Sequence, residues 1–458
     1  MNKINGKQLV LDTLEHKNVP RPAWVPYAGI HAGKLANYSA IEVLQDADKC
    51  LESIIEVNRL YNPDGQTVLF DLQLEAEILG CELKWVEKNL PSVVSHPLHG
   101  TDEIPDKLID KMDGRLPLVW EVMRKFKKAV GHNTALYGLY CGPFTLASHL
   151  RGTAIFMDMI KNPDYVHKLL EYTTKIAIQM TDFYIEEGMD VIVPVDPLMS
   201  QISPKHFKLF FLKPYTDLFN YTREKNVYSS FFVCGNATHN IDLMCQCGPD
   251  GIAVDENVDM VTAKKVTDRH NVVLGGNIPL TTAMLFGTQQ DNMKYVVDML
   301  DTLAEEGLSI NKNLIVSPGC DMPYDVPPQN AVAVAQAVQD IDAARKVVDN
   351  YTSTSFDDID VELPDYSALE KPLMEVYLLD PIACAACTYM QAAAHAAMKI
   401  LGDRVDVAEY QYNTPENIAR IQKQEVTCLP SIYLNGELKY PSIIPGTDEL
   451  VAELEKLM

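Results

Sequence analysis

Two stretches of this chain bring a cysteine to the end of an apolar run: residues 230–236, Ser-Phe-Phe-Val-Cys-Gly-Asn, and residues 316–323, Val-Ser-Pro-Gly-Cys-Asp-Met-Pro. Gly or Pro flanks each cysteine, which places the thiol where a strand gives way to a loop. Cysteines held on rigid strand ends and facing one cavity make a soft-donor site, and thiolate sulfur selects zinc over magnesium or calcium. Cys234 and Cys320 are therefore candidate metal ligands. A further motif, Cys384-Ala-Ala-Cys387, opens an alanine-rich helical stretch. A helix N-terminus there would stabilise the Cys384 thiolate, making it the attacking sulfur and Cys387 the resolving one.

The elements that must position the first pair are legible in the hydrophobic pattern. Short β-branched runs at residues 66–71, 134–139, 191–196, 229–234, 251–255, 271–277 and 313–319 alternate with helical periodicities such as that of residues 164–179. This is the βα rhythm of a parallel sheet, and its length suits a closed (β/α)8 barrel better than one doubly wound sheet. In such a barrel the chemistry sits where strands end. Asp71, Asp196, Cys234, Asp255, Asn277 and Cys320 all end predicted strands and form one candidate constellation. Asp71 and Asp196 are expected to work as acid–base groups on the substrate rather than on folding. Asp255 and His239, the latter five residues after Cys234, are candidates to complete the metal sphere.

The pattern divides the chain into a barrel over residues 1–345, an acidic linker over 346–370 and a small α/β domain over 371–458. The last contains a strand, the Cys384 and Cys387 pair, a helix, a second strand, another helix, an Asn-Gly hairpin and a final helix. Its order, with Pro430 just ahead of a strand, resembles the thioredoxin-like proteins, whose cis-proline would occupy that place. Cys428 is a further thiol beside it, with packing and redox or metal-binding roles both open. Cys245 and Cys247 read as half-buried thiols.

Composition excludes several classes. The 458 residues carry a formal net charge of -24 and 47% hydrophobic content, so the chain is globular and lacks the basic stripe that a nucleic-acid partner requires. No apolar run approaches the roughly 18 residues of a membrane span. Ten mostly scattered cysteines point to reduced thiols and a cytoplasmic setting rather than a secreted disulfide framework.

The barrel region also resembles a known family. Residues 70–82 (Phe-Asp-Leu-Gln-Leu-Glu-Ala-Glu-Ile-Leu-Gly-Cys-Glu), 141–153 (Cys-Gly-Pro-Phe-Thr-Leu-Ala-Ser-His-Leu-Arg-Gly-Thr), 196–200 (Asp-Pro-Leu-Met-Ser), 234–238 (Cys-Gly-Asn-Ala-Thr) and 317–330 (Ser-Pro-Gly-Cys-Asp-Met-Pro-Tyr-Asp-Val-Pro-Pro-Gln-Asn) look like the uroporphyrinogen decarboxylase superfamily. Within it they resemble the methylcobalamin:coenzyme M methyltransferase branch. The resemblance implies a TIM barrel and a zinc ion held by a His-x-Cys pair and a distant Cys. Cys234 and Cys320 match the two cysteines, while Phe232 stands in the place of the His.

The implied function is methyl transfer between a corrinoid protein and a small-molecule donor or a thiol acceptor at a zinc-thiolate site. The corrinoid is expected on a partner protein, because residues 268–273 (Asp-Arg-His-Asn-Val-Val) place Val273 where a corrinoid-binding loop needs Gly. Decarboxylation of a polycarboxylated tetrapyrrole is disfavoured, since residues 21–34 lack the arginines that would grasp it. Two other readings stay open at this stage: a non-catalytic redox or binding partner of a corrinoid system, and a lyase acting on an unrelated carboxylate.

Overall fold

The computed structural model describes residues 4–379 and 385–458. The chain divides into two compact units, Met1–Ser353 and Thr354–Met458. No helix among the described residues is long and apolar enough to cross a membrane.

The first unit is built on β1 (Ala23–Trp24), β2 (Gly65–Thr67), β3 (Ala135–Cys141), β4 (Val191–Val195), β5 (Tyr228–Val233), β6 (Gly251–Val254), β7 (Val273–Ile278) and β8 (Leu314–Pro318). They form one 8-stranded sheet in the order β1-β8-β7-β6-β5-β4-β3-β2, and each adjacent pair is parallel. The two ends of this order meet through Asp64. Its N–H donates to the Trp24 carbonyl at 2.9 Å, and its Oδ2 accepts from the Trp24 N–H at 2.8 Å. Arg21 grips the same carboxylate with two further bonds of 2.6 and 2.9 Å. The result is a nearly closed TIM barrel.

The strands are apolar runs because both of their faces are covered, one by the barrel interior and one by helices. β3, β4 and β8 are buried along their whole length. The helices carry their own boundaries: Pro163–Glu187 begins with Pro in its first turn and ends at Gly188, whose φ of 82° is the left-handed cap glycine favours. Two sequence expectations shift here. β1 is two residues long between Pro22 and Pro26, too short for periodicity to reveal. The strand expected over 66–71 ends at Thr67, so Asp71 stands on the loop beyond it.

The second unit has a 4-stranded sheet of β9 (Leu373–Leu378), β10 (Asp406–Gln411), β11 (Ser431–Leu434) and β12 (Glu437–Pro441), ordered β10-β9-β11-β12. β9 pairs parallel with β10 and antiparallel with β11, which pairs antiparallel with β12. Alternation along β9 sorts its side chains onto two faces. Met374, Val376 and Leu378 pack with Cys387, Met390, Ala394 and Leu401 of helix Ala385–Leu401, while Tyr377 packs with Ile421 and Tyr433 on the other side. The Leu429–Pro430 peptide is cis.

The stretch expected to be a linker behaves differently. Helix Ile341–Val348 carries the first unit past residue 345, and residues 354–370 pack on the second unit. Phe356 and Val361 are buried, the Tyr366 hydroxyl donates to Glu375 at 2.9 Å, and Arg420 and Lys423 donate to the carbonyls of Glu362 and Val361. Acidic composition hid these three anchoring side chains.

Candidate functional site

Cys234 directly follows β5, and Cys320 lies two residues past β8. The fold brings these positions, 86 residues apart in sequence, to a Cα–Cα distance of 6.0 Å, with the sulfurs joined in a disulfide. Both residues are half-buried at the end of the barrel where the strands terminate. Two glycines allow this approach. Gly235 has a φ of 81°, and a Cβ there would stand 2.7 Å from the Ser200 hydroxyl; a Cβ on Gly319 would stand 2.8 Å from the backbone N of Glu256.

Phe232 is fully buried. It lies two residues before Cys234, so strand alternation places both on the same face. Its ring packs against Tyr27 at 4.7 Å and Phe70 at 6.2 Å between centroids. An apolar plug therefore fills the place of the nitrogen donor that the family resemblance implies.

The remaining candidates have partners of their own. His239 is exposed, and its Nε2 meets the Ile202 carbonyl at 3.0 Å. Asp255 is buried, and its Oδ1 accepts from the Asn257 N–H at 2.9 Å and from the Asn257 side-chain amide. Burial pushes its pKa up, against the pull of the Asn257 and Gly235 N–H groups. Among the described residues no set of three His, Cys, Asp or Glu side chains is gathered as a metal would need. Neither Asp255 nor His239 thus completes a sphere with the two sulfurs in this structure. The sulfur chemistry fits zinc, and the arrangement stands one protein donor short of the usual three.

Asp71 and Asp196 are both buried and hydrogen-bonded. Asp71 is buried and paired with Arg115 at 2.7 Å, and it also accepts from the Gln73 N–H at 3.0 Å. Arg115 further binds Glu77 at 2.8 Å and lies over the Trp85 ring at 5.0 Å. Asp196, wholly buried, accepts from the N–H groups of Phe144 at 2.9 Å and Thr145 at 3.0 Å. It also accepts from the Thr145 hydroxyl at 2.5 Å and from the Tyr215 hydroxyl. It caps helix Pro143–Arg151, whose own N-cap, Gly142, has no side chain to do so. Burial raises the Asp196 pKa to about 6, opposed by those hydrogen bonds. Both carboxylates are thus held by neighbouring donors, Asp71 by Arg115 and Asp196 by the start of helix Pro143–Arg151. Asn277 is likewise a staple, donating to the carbonyls of Asp255 and Val258 at 3.1 and 2.7 Å.

The sequence reading missed three acids. Glu256 follows Asp255, and burial together with the Asp255 charge raises its pKa to about 8. Asp321 adjoins Cys320, accepts from the Gly29 N–H at 2.7 Å, and is raised to about 7 by burial. Glu75 is buried at 1% exposure, and neither carboxylate oxygen has a hydrogen-bond partner. Burial, then the Asp71 charge, raises it to about 8. The signal for Glu75 and Glu256 was their position beside strand-end aspartates already singled out.

In the second unit, Cys387 is fully buried within the β9 core and is disulfide-bonded. Cys384 lies outside the described residues. Pro430 is buried ahead of β11, and Cys428 is a half-buried free thiol. Cys245 and Cys247 are both buried.

Residues 5–341 match the family described as Uroporphyrinogen decarboxylase (URO-D). Similar proteins include Methylcobamide:CoM methyltransferase MtbA of Methanosarcina acetivorans, 27% identical over 294 residues, which are 63% of this chain and 83% of that protein. Methylcobamide:CoM methyltransferase MtaA of Methanosarcina barkeri is 30% identical over 276 residues, 58% of this chain and 76% of that one. A uroporphyrinogen decarboxylase of Prochlorococcus marinus is 22% identical over 355 residues, 74% of this chain and 98% of the decarboxylase. A solved methyltransferase from Methanosarcina mazei superposes with a TM-score of 0.67 at 22% identity, covering 74% of this chain and 99% of its own. At that identity the superposition speaks for the fold.

Proposed function

Because the chain belongs to the uroporphyrinogen decarboxylase family, we propose that its barrel is a corrinoid-dependent methyltransferase. It would move a methyl group between a corrinoid protein and a small-molecule donor or thiol acceptor. The observation that carries this reading is the meeting of Cys234 and Cys320 at the barrel mouth with 6.0 Å between their Cα atoms. Reduced, these two cysteines are the residues that would hold zinc, one protein donor short of the usual three. The chemistry such an ion would supply there is Lewis acidity toward a thiol acceptor or a methylated donor.

The chain's own groups prepare that site. Phe232, Tyr27 and Phe70 close its floor with apolar surface and keep water from beneath it. Asp196 fixes the start of helix Pro143–Arg151 against the end of β4, and the Asp71–Arg115 pair fixes the loop after β2. The decarboxylase reading is disfavoured by the structure of residues 21–34: Arg21, the one arginine there, is spent on Asp64. The second unit is proposed as a thioredoxin-like redox domain, on its strand order and its disulfide-bonded Cys387.

The test is metal analysis of the reduced protein followed by absorbance assay against free methylcobalamin with thiol acceptors and with methylated small molecules. About one zinc per chain and thiol-dependent loss of the methylcobalamin spectrum, or methylation of cob(I)alamin by a donor, are the expected results. A zinc-loaded protein inert in both directions refutes the methyltransferase reading.

A further inference from the structure

Glu75 differs from the other buried acids at the strand ends of the barrel. Asp71 accepts from Arg115 and the Gln73 N–H, Asp196 from Phe144 and Thr145, Asp255 from Asn257, Glu256 from the Leu280 N–H and Asp321 from the Gly29 N–H. Glu75 is 1% exposed, and among the described residues neither of its carboxylate oxygens has a partner. A native structure satisfies nearly all of its buried polar atoms, so an orphaned carboxyl group marks a place where a polar group from outside the chain binds.

The surroundings define that group. Glu75 lies in helix Leu74–Ile78, which follows β2. Its carboxyl group faces the Asp71 carboxylate and the Arg115 guanidinium, together with the buried Cys141 thiol at the end of β3. The Tyr140 and Tyr184 phenols stand nearby, engaged with Thr181 and with the Leu139 carbonyl. Arg115 is shared between Asp71, Glu77 and the Leu44 carbonyl. The fixed charges of this corner are therefore two carboxylates against one guanidinium. An arriving anion meets net negative charge, whereas a cation bearing N–H groups meets two unused acceptor oxygens. Another buried acceptor without a partner, Gln73 Oε1, lies at the N-cap of the same helix.

From these observations we propose that the corner between the ends of β2 and β3 binds a small protonated amine, whose N–H groups donate to the Glu75 carboxylate. Such binding is independent of any metal and of the methyl-transfer reading above. Burial, then the Asp71 charge, raises Glu75 to about 8, so the empty corner holds a neutral carboxyl group at neutral pH. Pairing with an ammonium requires the carboxylate. Below pH 8 the amine therefore displaces one proton from Glu75 to solvent as it binds, and keeps its own. Affinity rises with pH until Glu75 is ionised, then stays level while the amine remains cationic.

The experiment is calorimetric titration of the full chain with methylammonium chloride. From about pH 6.5 to about pH 8.5 the dissociation constant should fall about 20-fold, because the ionised fraction of Glu75 rises from a few per cent to about three quarters. At the lower pH, buffers of different ionisation enthalpy should reveal roughly one proton released per amine bound. The chain's net charge of -24 attracts any cation, and tetramethylammonium, equally charged but without an N–H, separates that attraction from the pocket. It should bind at least about tenfold more weakly. Glu75→Gln should lose the pH dependence and weaken methylammonium binding by a similar factor, while Glu224→Gln at an exposed position should match the wild type. Absence of saturable methylammonium binding, an affinity that ignores pH, or equal binding of tetramethylammonium overturns the proposal and leaves water as the partner of Glu75.

Discussion

Cys234 and Cys320 lie 86 residues apart and meet only because β5 and β8 end on the same rim of one barrel, whereas Cys384 and Cys387 are neighbours on a single turn of sequence. The first pair inherits its geometry from every strand between them. The second needs one helix and one strand. A tertiary pair can thus be switched by anything that loosens the barrel, while a local pair keeps its chemistry as long as its own small unit folds.

The strongest way to break the comparison is to remove the tertiary pair. Replacing Cys234 and Cys320 together with Ser should reduce zinc from about one per chain to background. It should also lower methyl transfer by more than the roughly 100-fold that loss of an outer-shell partner causes. A double variant that retains its metal would place the site elsewhere.

Next in size is the scaffold beneath that pair. Asp71→Ala leaves buried Arg115 with Glu77 as its remaining carboxylate partner, and should cost about 3–5 kcal/mol of unfolding free energy, the range for breaking a buried ion pair. Asp196→Asn should cost about 1–3 kcal/mol, since its amide cannot accept from all four donors. Urea denaturation checks both. Unchanged stability with lost methyl transfer would return these aspartates to an acid–base role.

Glu75 sharpens the contrast through pH. Burial raises its folded pKa from 4.5 to about 8, so across that interval the folded state keeps a proton the unfolded chain has released. The stability contributed by this linkage is complete below pH 4.5 and is lost as pH rises through 8. Glu75→Gln cannot ionise, and its urea midpoint should therefore gain on that of the wild type between pH 5 and 8. The gain should amount to a few kcal/mol at most. A difference that does not vary with pH would show that Glu75 finds a counter-charge in solution.

The smallest expected effect concerns the local pair. Cys384 and Cys387 should titrate in a redox buffer at roughly -200 to -270 mV. A chain ending at Ser353 should stay folded yet lose activity in air severalfold faster than the full chain, with rescue by dithiothreitol. Equal inactivation rates, with no oxidation of the pair in a glutathione titration, would make the second unit a docking or dimerisation module.

How far the sequence can be read follows the same division between local and long-range. Seven strands of the barrel announced themselves as short, largely apolar runs, because a strand covered on both faces is mostly apolar. β1 did not, since two residues carry no period and its identity as a strand is conferred by β8 and Asp64. Cys234 and Cys320 were found from strand-end position, a local signal, but their bond is a fact of closure. For Asp71 and Asp196 strand-end placement was again a local signal, and it could not reveal their partners, Arg115 and the start of helix Pro143–Arg151, which are distant in sequence. The acidic run at 354–370 looked unstructured because its anchors are a few side chains, Phe356, Val361 and Tyr366, and backbone carbonyls that carry no sequence signal.

The shortness of β1 has a consequence for the order in which the chain is made. Ala23 and Trp24 pair with Ile315 and Val316, so the barrel seam waits for nearly the whole first unit to leave the ribosome. At about 5–20 residues per second the delay between the two partners is roughly 15 to 60 s. Over the last part of that interval, roughly 4 to 17 s at the same rate, Cys234 has been made and Cys320, 86 residues later, has not. Pulse alkylation of nascent chains of increasing length should find Cys234 reactive until β8 has emerged and protected afterwards. The seam is thus a timer as well as a joint: whatever protects this sulfur during synthesis must come from outside the nascent chain.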